Sequence, residues 1–499
     1  MGRMELPRNL YSAAQAREFD RRAIDQHGIP AGELMRRAGQ AAYRLLRVRY
    51  PRARDVTVVC GPGNNGGDGY VVARLAREAG LSVRVLALGE RGALKGEARV
   101  AHDACVAGGI EPEAFTTGLH GADLIIDAIF GTGLEREVTG QWRTAIEAIN
   151  AAGRPVIALD IPSGLHADTG RVLGAGVRAA ATISFIGLKV GMLTGAGREH
   201  CGEIYVDDLA LPAAVYEGLV PAAQRIVAAD LMRLLPPRPR DAHKGAGGHV
   251  LVVGGGRGMP GAARMAGEAA YRSGAGLVTI ATHPAHAAVL NIGCPELIVQ
   301  GVEGKQALGI LLAQADCVAV GPGLGQGDWG QQALAAALES ARPLVVDADA
   351  LNLLARDPGH REDWVLTPHP GEAARLIGTA STADVQGDRL TAVRAISARY
   401  GGTCVLKGSG TLVATHREAE LYLCDRGNPG MASGGVGDVL TGIIAALIAQ
   451  GLTPPDAARL GVWLHATAGD AAAREGERGL LASDLLAMLR ASLQSVTAP

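Results

Sequence analysis

Short, nearly continuous apolar runs recur along this chain, and each ends in glycine or a small polar residue. Run 56–60 leads into Gly61-Pro-Gly-Asn64-Asn65-Gly66-Gly67-Asp68-Gly69. Run 124–129 leads into Asp127-Ala-Ile-Phe-Gly131-Thr132-Gly133-Leu134, and run 156–159 into Asp160-Ile-Pro-Ser163-Gly164. Run 181–186 leads into Gly187-Leu-Lys189. A strand with one wet face would alternate apolar and polar residues. These do not, so they belong in parallel sheets covered by helices on both faces. Stretches of helical period lie between them, as in 70–79. The amino-terminal stretch is also helical. Ser12 caps it, and Ala16, Phe19, Ala23 and Ile24 share a face.

The pattern stops and restarts. Residues 221–239 are rich in proline and arginine and read as a boundary. Beyond them, run 249–253 ends in Gly254-Gly-Gly-Arg-Gly258, and run 317–320 in Gly321-Pro-Gly323-Leu-Gly325. Run 344–346 ends in Asp347-Ala-Asp349, and run 365–366 in Thr367-Pro-His369-Pro-Gly371-Glu372. Run 403–406 ends in Lys407-Gly408-Ser409-Gly410-Thr411. With 499 residues the chain is too long for one ordinary domain. Two α/β domains are expected, 1–222 and 223–499.

Composition narrows the partners. Net charge is −2, which provides no basic field for nucleic acid and no polybasic membrane patch. The apolar run 440–452 is too short to span a bilayer, and the charged first residues lack an apolar signal core. Seven cysteines without a C-x-x-C pair fit a reducing cytoplasm better than a disulfide scaffold. Seventy glycines point to tight turns and close backbone approaches, as in nucleotide-binding folds.

In open α/β sheets ligands sit beyond the carboxyl ends of strands. Asn65, Asp127, Gly131, Gly133, Asp160 and Ser163 all fall at such ends. Their oxygens could bind a cation, or an Asp could serve as a base. Either Asp alone reads equally well as a helix N-cap. In the second half, Lys407 to Thr411 offers a cation, two glycines and two hydroxyls to nucleotide phosphates, although it is not a Walker loop. Downstream, Asn428-Pro-Gly-Met-Ala-Ser-Gly434-Gly435-Val-Gly437-Asp438 leads into the apolar helix expected over 439–448. A carboxylate in an anion site needs a reason, and deprotonating a hydroxyl is one. Asp347 and Asp349 read as helix caps.

These motifs carry a resemblance over nearly the whole chain. The second half resembles the ribokinase-like ADP-dependent dehydratases that repair hydrated NADH and NADPH. The matching segments are Lys244-Gly, Gly321-Pro-Gly-Leu-Gly325, Thr367-Pro-His-Pro-Gly-Glu372, Lys407-Gly and Asn428-Pro through Gly442. The first half resembles their Rossmann-like epimerase partners, through the 61–69, 127–133 and 159–164 segments.

The resemblance implies that Asn64, Asn65, Gly66, Gly67 and Asp68 contact the hydrated nucleotide, with Gly131, Thr132, Gly133, Leu134, Glu135, Arg136 and Glu137. It makes Asp160 the acid/base of epimerisation and gives potassium to Asn65, Asp127 and Ser163. It places Ala262, Gly323, His369 and Asp438 on the hydrate in the dehydratase, with Asp438 as base. It places Lys407, Gly408, Ser409, Gly410, Thr411 and Gly437 on ADP, with magnesium accompanying it. A proline expected just before Lys189 is absent, so Lys189 is left outside the expected site. The implied protein is a cytoplasmic, homo-oligomeric enzyme acting on NADH and NADPH hydrates. The alternative is a small-molecule kinase of the ribokinase superfamily behind a non-catalytic nucleotide-binding module.

Overall fold

The computed structural model describes residues 5–119, 121–379 and 381–496. The apolar runs become parallel strands, and the chain divides into two compact units, Met1–Gln224 and Arg225–Pro499.

The first unit holds a seven-stranded parallel sheet. From edge to edge its strands are Glu113–Ala114, Ser82–Ala87, Asp55–Cys60, Leu124–Ala128, Val156–Leu159, Ala181–Phe185 and Glu203–Asp207. Side chains alternate between the two faces. Val56, Val58 and Cys60 join one apolar cluster, while Val59 joins the other with Leu86 and Ile125. Asp55–Cys60 is the first strand of this sheet in chain order, and later strands add on both of its sides. The chain therefore reverses between it and Leu124–Ala128, which opens a crevice above those two strand ends.

The second unit is built the same way with a different order. Its strands run Ile298–Gly301, Leu277–Thr282, His249–Val253, Cys317–Val320, Leu344–Val346, Trp364–Leu366 and Thr403–Leu406, all parallel. Thr411–Thr415 and Leu421–Cys424 then fold back antiparallel. Helices Pro260–Arg272 and Val436–Ala449 pack closely, because a Cβ on Gly442 would lie 2.0 Å from the Ala266 carbonyl oxygen. Only glycine permits that approach.

Two helices start earlier than the sequence suggests. The 64–69 segment is not a loop before a helix at 70; it forms the first turns of helix Asn64–Glu78. Its glycines serve packing. A Cβ on Gly66 would meet the Gly61 carbonyl oxygen at 1.9 Å, and one on Gly67 would meet Met35 Cε at 2.5 Å. Likewise Val436–Ala449 begins ahead of Asp438, which sits in its first turn. Glycine runs look like breakers in sequence, but here they let a helix start lie against its neighbours. Edge strands Glu203–Asp207 and Ile298–Gly301 went unread because neither is a continuous apolar run. Among the described residues, no helix is long and apolar enough to cross a membrane.

Candidate active sites

In the first unit a cavity of about 710 Å³ opens above the crevice. Asp160 stands on its wall at the end of strand Val156–Leu159, with φ of 62°, a left-handed conformation uncommon outside glycine. One oxygen, Oδ1, lies 2.5 Å from the Lys189 ammonium. The other, Oδ2, accepts from the Thr132 N–H at 3.0 Å. Gly131 must lack a side chain here, since a Cβ would lie 2.9 Å from Asp160 Oδ2. Lys189 is 2% exposed, and Ser184 Oγ at 3.1 Å and the Phe185 carbonyl at 2.8 Å take its other donors. Its three N–H bonds are thus all used, so the ion pair is held in one geometry.

Two more acids face this pair. Burial pushes Asp20 up to about 6 against the pull of Lys189, with the Asp160 charge adding to the rise. Burial raises Asp68 well above the usual carboxylate range, and Asp160 and Asp20 add to it. An ion-paired carboxylate beside acids that favour their protonated form is an arrangement suited to moving a proton within a closed site.

Behind the wall lies a set of buried oxygens. Asp127 is fully buried, and its carboxylate accepts from Ser163 Oγ at 2.6 Å and Ser163 N–H at 2.8 Å. Burial pushes it up to about 6 despite those bonds. Phe130 N–H donates to Ser163 Oγ at 2.8 Å. The next residue, Gly131, packs on Asn65, where a Cβ would lie 3.5 Å from the Asn65 Cβ. Both Asn65 amide atoms are buried with no hydrogen-bond partner. A buried orphan amide costs stability unless something binds it. With Asp127, Ser163 and backbone carbonyls nearby, the donors are all oxygen, which suits a hard cation and not a thiophilic one.

Of the expected contacts, Asn64, Asn65, Asp68, Gly131, Thr132, Gly133, Leu134, Glu135, Arg136 and Asp160 line the cavity. Gly66 and Gly67 do not, being packed against Gly61 and Met35, and neither does Glu137, which lies 3.5 Å from Arg171. Ile24, expected on the apolar face shared by Ala16, Phe19 and Ala23, lines the cavity and is 37% exposed.

In the second unit a cavity of about 530 Å³ is lined by Ala262, Gly323, Asp349, Glu372, Gly435 and Asp438, among others. Lys407, His369, Gly437 and residues 408–411 do not line it, but Lys407 reaches the lining residue Glu372. Its ammonium lies 2.7 Å from Asp347 Oδ1 and 3.9 Å from Glu372, and a Cβ on Gly437 would lie 3.2 Å from it. Thr441 Oγ donates to Asp347 Oδ2 at 2.7 Å. Burial alone would raise Asp347, but the Lys407 charge and the Lys407, Thr441 and Thr367 hydrogen bonds hold it below the usual range. Asp438 is pushed up to about 7, first by burial and then by the Asp347 charge, with Lys407 opposing. Glu372 is raised by burial against the pull of Lys407.

His369 caps helix Pro370–Ile377. Its Nδ1 accepts from the N–H groups of Gly371 at 2.9 Å and Glu372 at 3.4 Å, and the His369 backbone N–H donates to Glu372 Oε2 at 2.8 Å. Nδ1 is therefore the acceptor and Nε2 carries the proton. Burial and the Lys407 charge lower its pKa, in keeping with the acceptor role of Nδ1. Lys407 to Thr411 turns through Gly408 and Gly410 at positive φ. The fully buried Arg389 pins this turn from beneath, reaching the carbonyls of Leu406 and Lys407 at 3.2 Å and Gly410 at 3.4 Å.

Three residues escaped the sequence reading. Lys189 was set aside for a missing proline, yet it makes the shortest contact in the first site. Asp347 was read as a helix cap; it does stand at the N-cap of Ala348–Arg356, but its side chain bonds Lys407 and Thr441 instead. A buried lysine needs an acid, so an unassigned Asp at a neighbouring strand end was the available signal. Arg389 opens helix Arg389–Tyr400 and carries no local signal of its role.

A family described as NAD(P)H-hydrate dehydratase matches residues 250–490, and the YjeF-related protein N-terminus matches 31–191. The bifunctional NAD(P)H-hydrate repair enzyme Nnr of Coxiella burnetii is 48% identical, covering 96% of this chain and 98% of its own. That of Escherichia coli is 46% identical, covering 98% and 94%. Among solved structures, a ribokinase-like superfamily protein of Enterococcus faecalis is 32% identical with a TM-score of 0.52, covering 57% of this chain and all of its own.

The Lys189–Asp160 pair makes a stability prediction. Lys189→Met leaves the Asp160 carboxylate without its cation beside two further acids, and should cost the first unit about 3–5 kcal/mol near neutral pH. Lys189→Met combined with Asp160→Asn should recover most of that loss. Denaturant unfolding of the two variants checks it; equal stability of the single and double variants would mean the pair is not held as described.

Proposed function

This chain belongs to the family of bifunctional NAD(P)H-hydrate repair enzymes, and from that premise we propose how its two sites share the work. The enzyme interconverts the R and S hydrates of NADH and NADPH in the first unit and dehydrates the S form in the second. The observation that carries the dehydratase reading is Asp438. It is a half-buried acid in the first turn of a glycine-started helix, next to a cavity whose other charged groups are already paired.

For dehydration, Asp438 takes the proton from the ring hydroxyl as its oxygen attacks the terminal phosphorus of ADP. The bond from that phosphorus to the bridging oxygen breaks and AMP leaves. Lys407 and the N–H groups at Gly435 to Gly437 face the transferring phosphoryl group, where fixed donors lower the barrier. The ring nitrogen then pushes electrons in, the carbon–oxygen bond breaks, phosphate departs with the former hydroxyl oxygen, and the adjacent ring carbon gives up a proton to phosphate or water to restore the double bond. Hydroxide is a poor leaving group and phosphate a good one, which accounts for the nucleotide. His369 Nε2–H, with Ala262 and Gly323, orients the hydrate, and Gly408, Ser409, Gly410 and Thr411 hold ADP.

Magnesium fits as a companion of the phosphates rather than a resident ion. Asp347 is taken by Lys407 and Thr441, and Asp349 by Gly325 N–H at 2.9 Å and Gln326 at 3.2 Å. Among the described residues around this site no all-protein cage remains, as is usual for magnesium at phosphate-transfer sites.

For epimerisation, Asp160 is the acid/base at the hydroxyl-bearing carbon, and Lys189 fixes its position. Potassium at Asn65, Asp127 and Ser163 is supported by the orphan Asn65 amide; it would give the 129–134 wall a fixed charge near the substrate. A non-catalytic first unit would have no use for a buried Lys–Asp pair facing a cavity. Seven free cysteines, all buried, fit work in the reducing cytoplasm.

Asp438→Asn should lower ADP-dependent dehydration by about 10²–10⁴-fold and leave R-to-S conversion intact. Because Asp438 is raised to about 7 and must be ionised to act, wild-type kcat/KM should fall as pH drops below about 7 and level off above it. Near-normal dehydration in the variant would remove Asp438 from the chemistry. Separately, replacing potassium by lithium should slow epimerisation and lower the melting temperature of the first unit. Asn65→Leu should be insensitive to the exchange; equal sensitivity in variant and wild type would place the cation elsewhere.

A further inference from the structure

The end of the second sheet remote from Lys407 carries three side chains that the repair chemistry does not use. His360 and Glu362 precede strand Trp364–Leu366, and His416 directly follows Thr411–Thr415. Thr415 pairs with Thr403 and Leu412 with Leu406, so His416 lies beside the start of the strand that ends at Lys407. That is roughly 10 Å along the strand from the nucleotide loop.

We propose that His360, Glu362 and His416 bind one divalent transition-metal ion of the zinc class. The ligand atoms of the three lie within 4.8 Å of one another. His416 Nδ1 is 2.9 and 3.1 Å from the two Glu362 oxygens, and His360 Nε2 is 3.2 Å from Oε1. Bonds of about 2.0–2.1 Å in a tetrahedral site put neighbouring ligand atoms about 3.3 Å apart. These side chains are therefore near ligand spacing already.

The surroundings orient them. His360 Nδ1 faces the Arg399 carbonyl at 3.3 Å, which can only accept, so the proton belongs on Nδ1. Nε2 then turns its lone pair toward a carboxylate oxygen. Two acceptors at that distance repel unless a proton or a cation lies between them. A carbonyl behind a ligating imidazole is the usual outer partner of a metal-bound histidine. The Gly402 N–H holds the Glu362 carboxylate. Gly401, at φ of 78°, keeps the ring's coordinating edge clear, since a Cβ there would lie 2.7 Å from His360 Nε2. Two imidazoles and one carboxylate select zinc, cobalt, nickel or copper over magnesium or calcium. Arg417 is the competing cation, 3.9 Å from Glu362, but its side chain is 79% exposed and free to turn away.

Such an ion ties the antiparallel return strand to the segment entering Trp364–Leu366. Its role is structural, with water in the remaining coordination position. The competing account is that the cluster is held by protonated imidazoles alone.

The test uses the full chain, stripped with a chelator and titrated with cobalt(II), then competed with zinc(II). One equivalent should develop visible ligand-field absorption that zinc abolishes, and zinc should raise the melting temperature of the second unit. Glu362→Gln and the double variant His360→Ala/His416→Ala should lose the absorption and the shift while keeping dehydration within twofold of wild type. Equal cobalt stoichiometry in wild type and double variant would overturn the proposal. So would a wild-type melting temperature that responds to pH but not to zinc, which is the outcome for protonated imidazoles alone.

Discussion

A buried ammonium paired with a carboxylate at the carboxyl end of a parallel sheet is the constraint on which each unit depends. Removing charge from water is costly, and only close pairing with further hydrogen bonds offsets it. In the second unit Lys407 meets Asp347, which Thr441 completes. In the first, Lys189 meets Asp160, which Thr132 completes. Once those charges are bound, the acids left over stand near a negative partner in a poorly solvated place. Asp438, Glu372, Asp20 and Asp68 are all raised for that reason. The proton chemistry proposed for both sites follows from this unequal pairing.

The two units reach that arrangement by different use of the pair. In the second, the paired carboxylate is the support and the unpaired Asp438 is the base. In the first, the paired Asp160 is itself at the cavity wall, and its neighbours Asp20 and Asp68 are the acids raised above the usual range. Glycine makes both possible by letting helix starts approach the strand ends. Gly131 leaves room for Asp160, and Gly437 leaves room for Lys407.

Much of this was legible in the sequence. Unalternating apolar runs specify buried parallel strands, and their ends locate the sites. What failed has physical causes. The 64–69 and 434–438 segments look like loops because glycine lowers helix propensity, yet both lie in or at the start of helices where tertiary packing overrides it. Edge strands lack the apolar run that marks central ones. Asp347 reads as no more than a helix cap because its partners, Lys407 and Thr441, lie 60 and 94 residues away. Pairings of that span are set by strand order, which local pattern does not encode. Arg389 is the extreme case, a buried guanidinium supporting a turn at residues 406–410 from another helix.

The account's central claim is that the S hydrate needs only Asp438 of the second unit, whereas the R hydrate needs Asp160 of the first as well. It is tested most directly by supplying mixed R and S hydrates of NADH with ADP and following NADH absorbance to completion. Wild type should restore all of the NADH, whereas Asp160→Asn should restore the S fraction at the normal rate and then stall. Complete recovery by Asp160→Asn at the wild-type rate would contradict it.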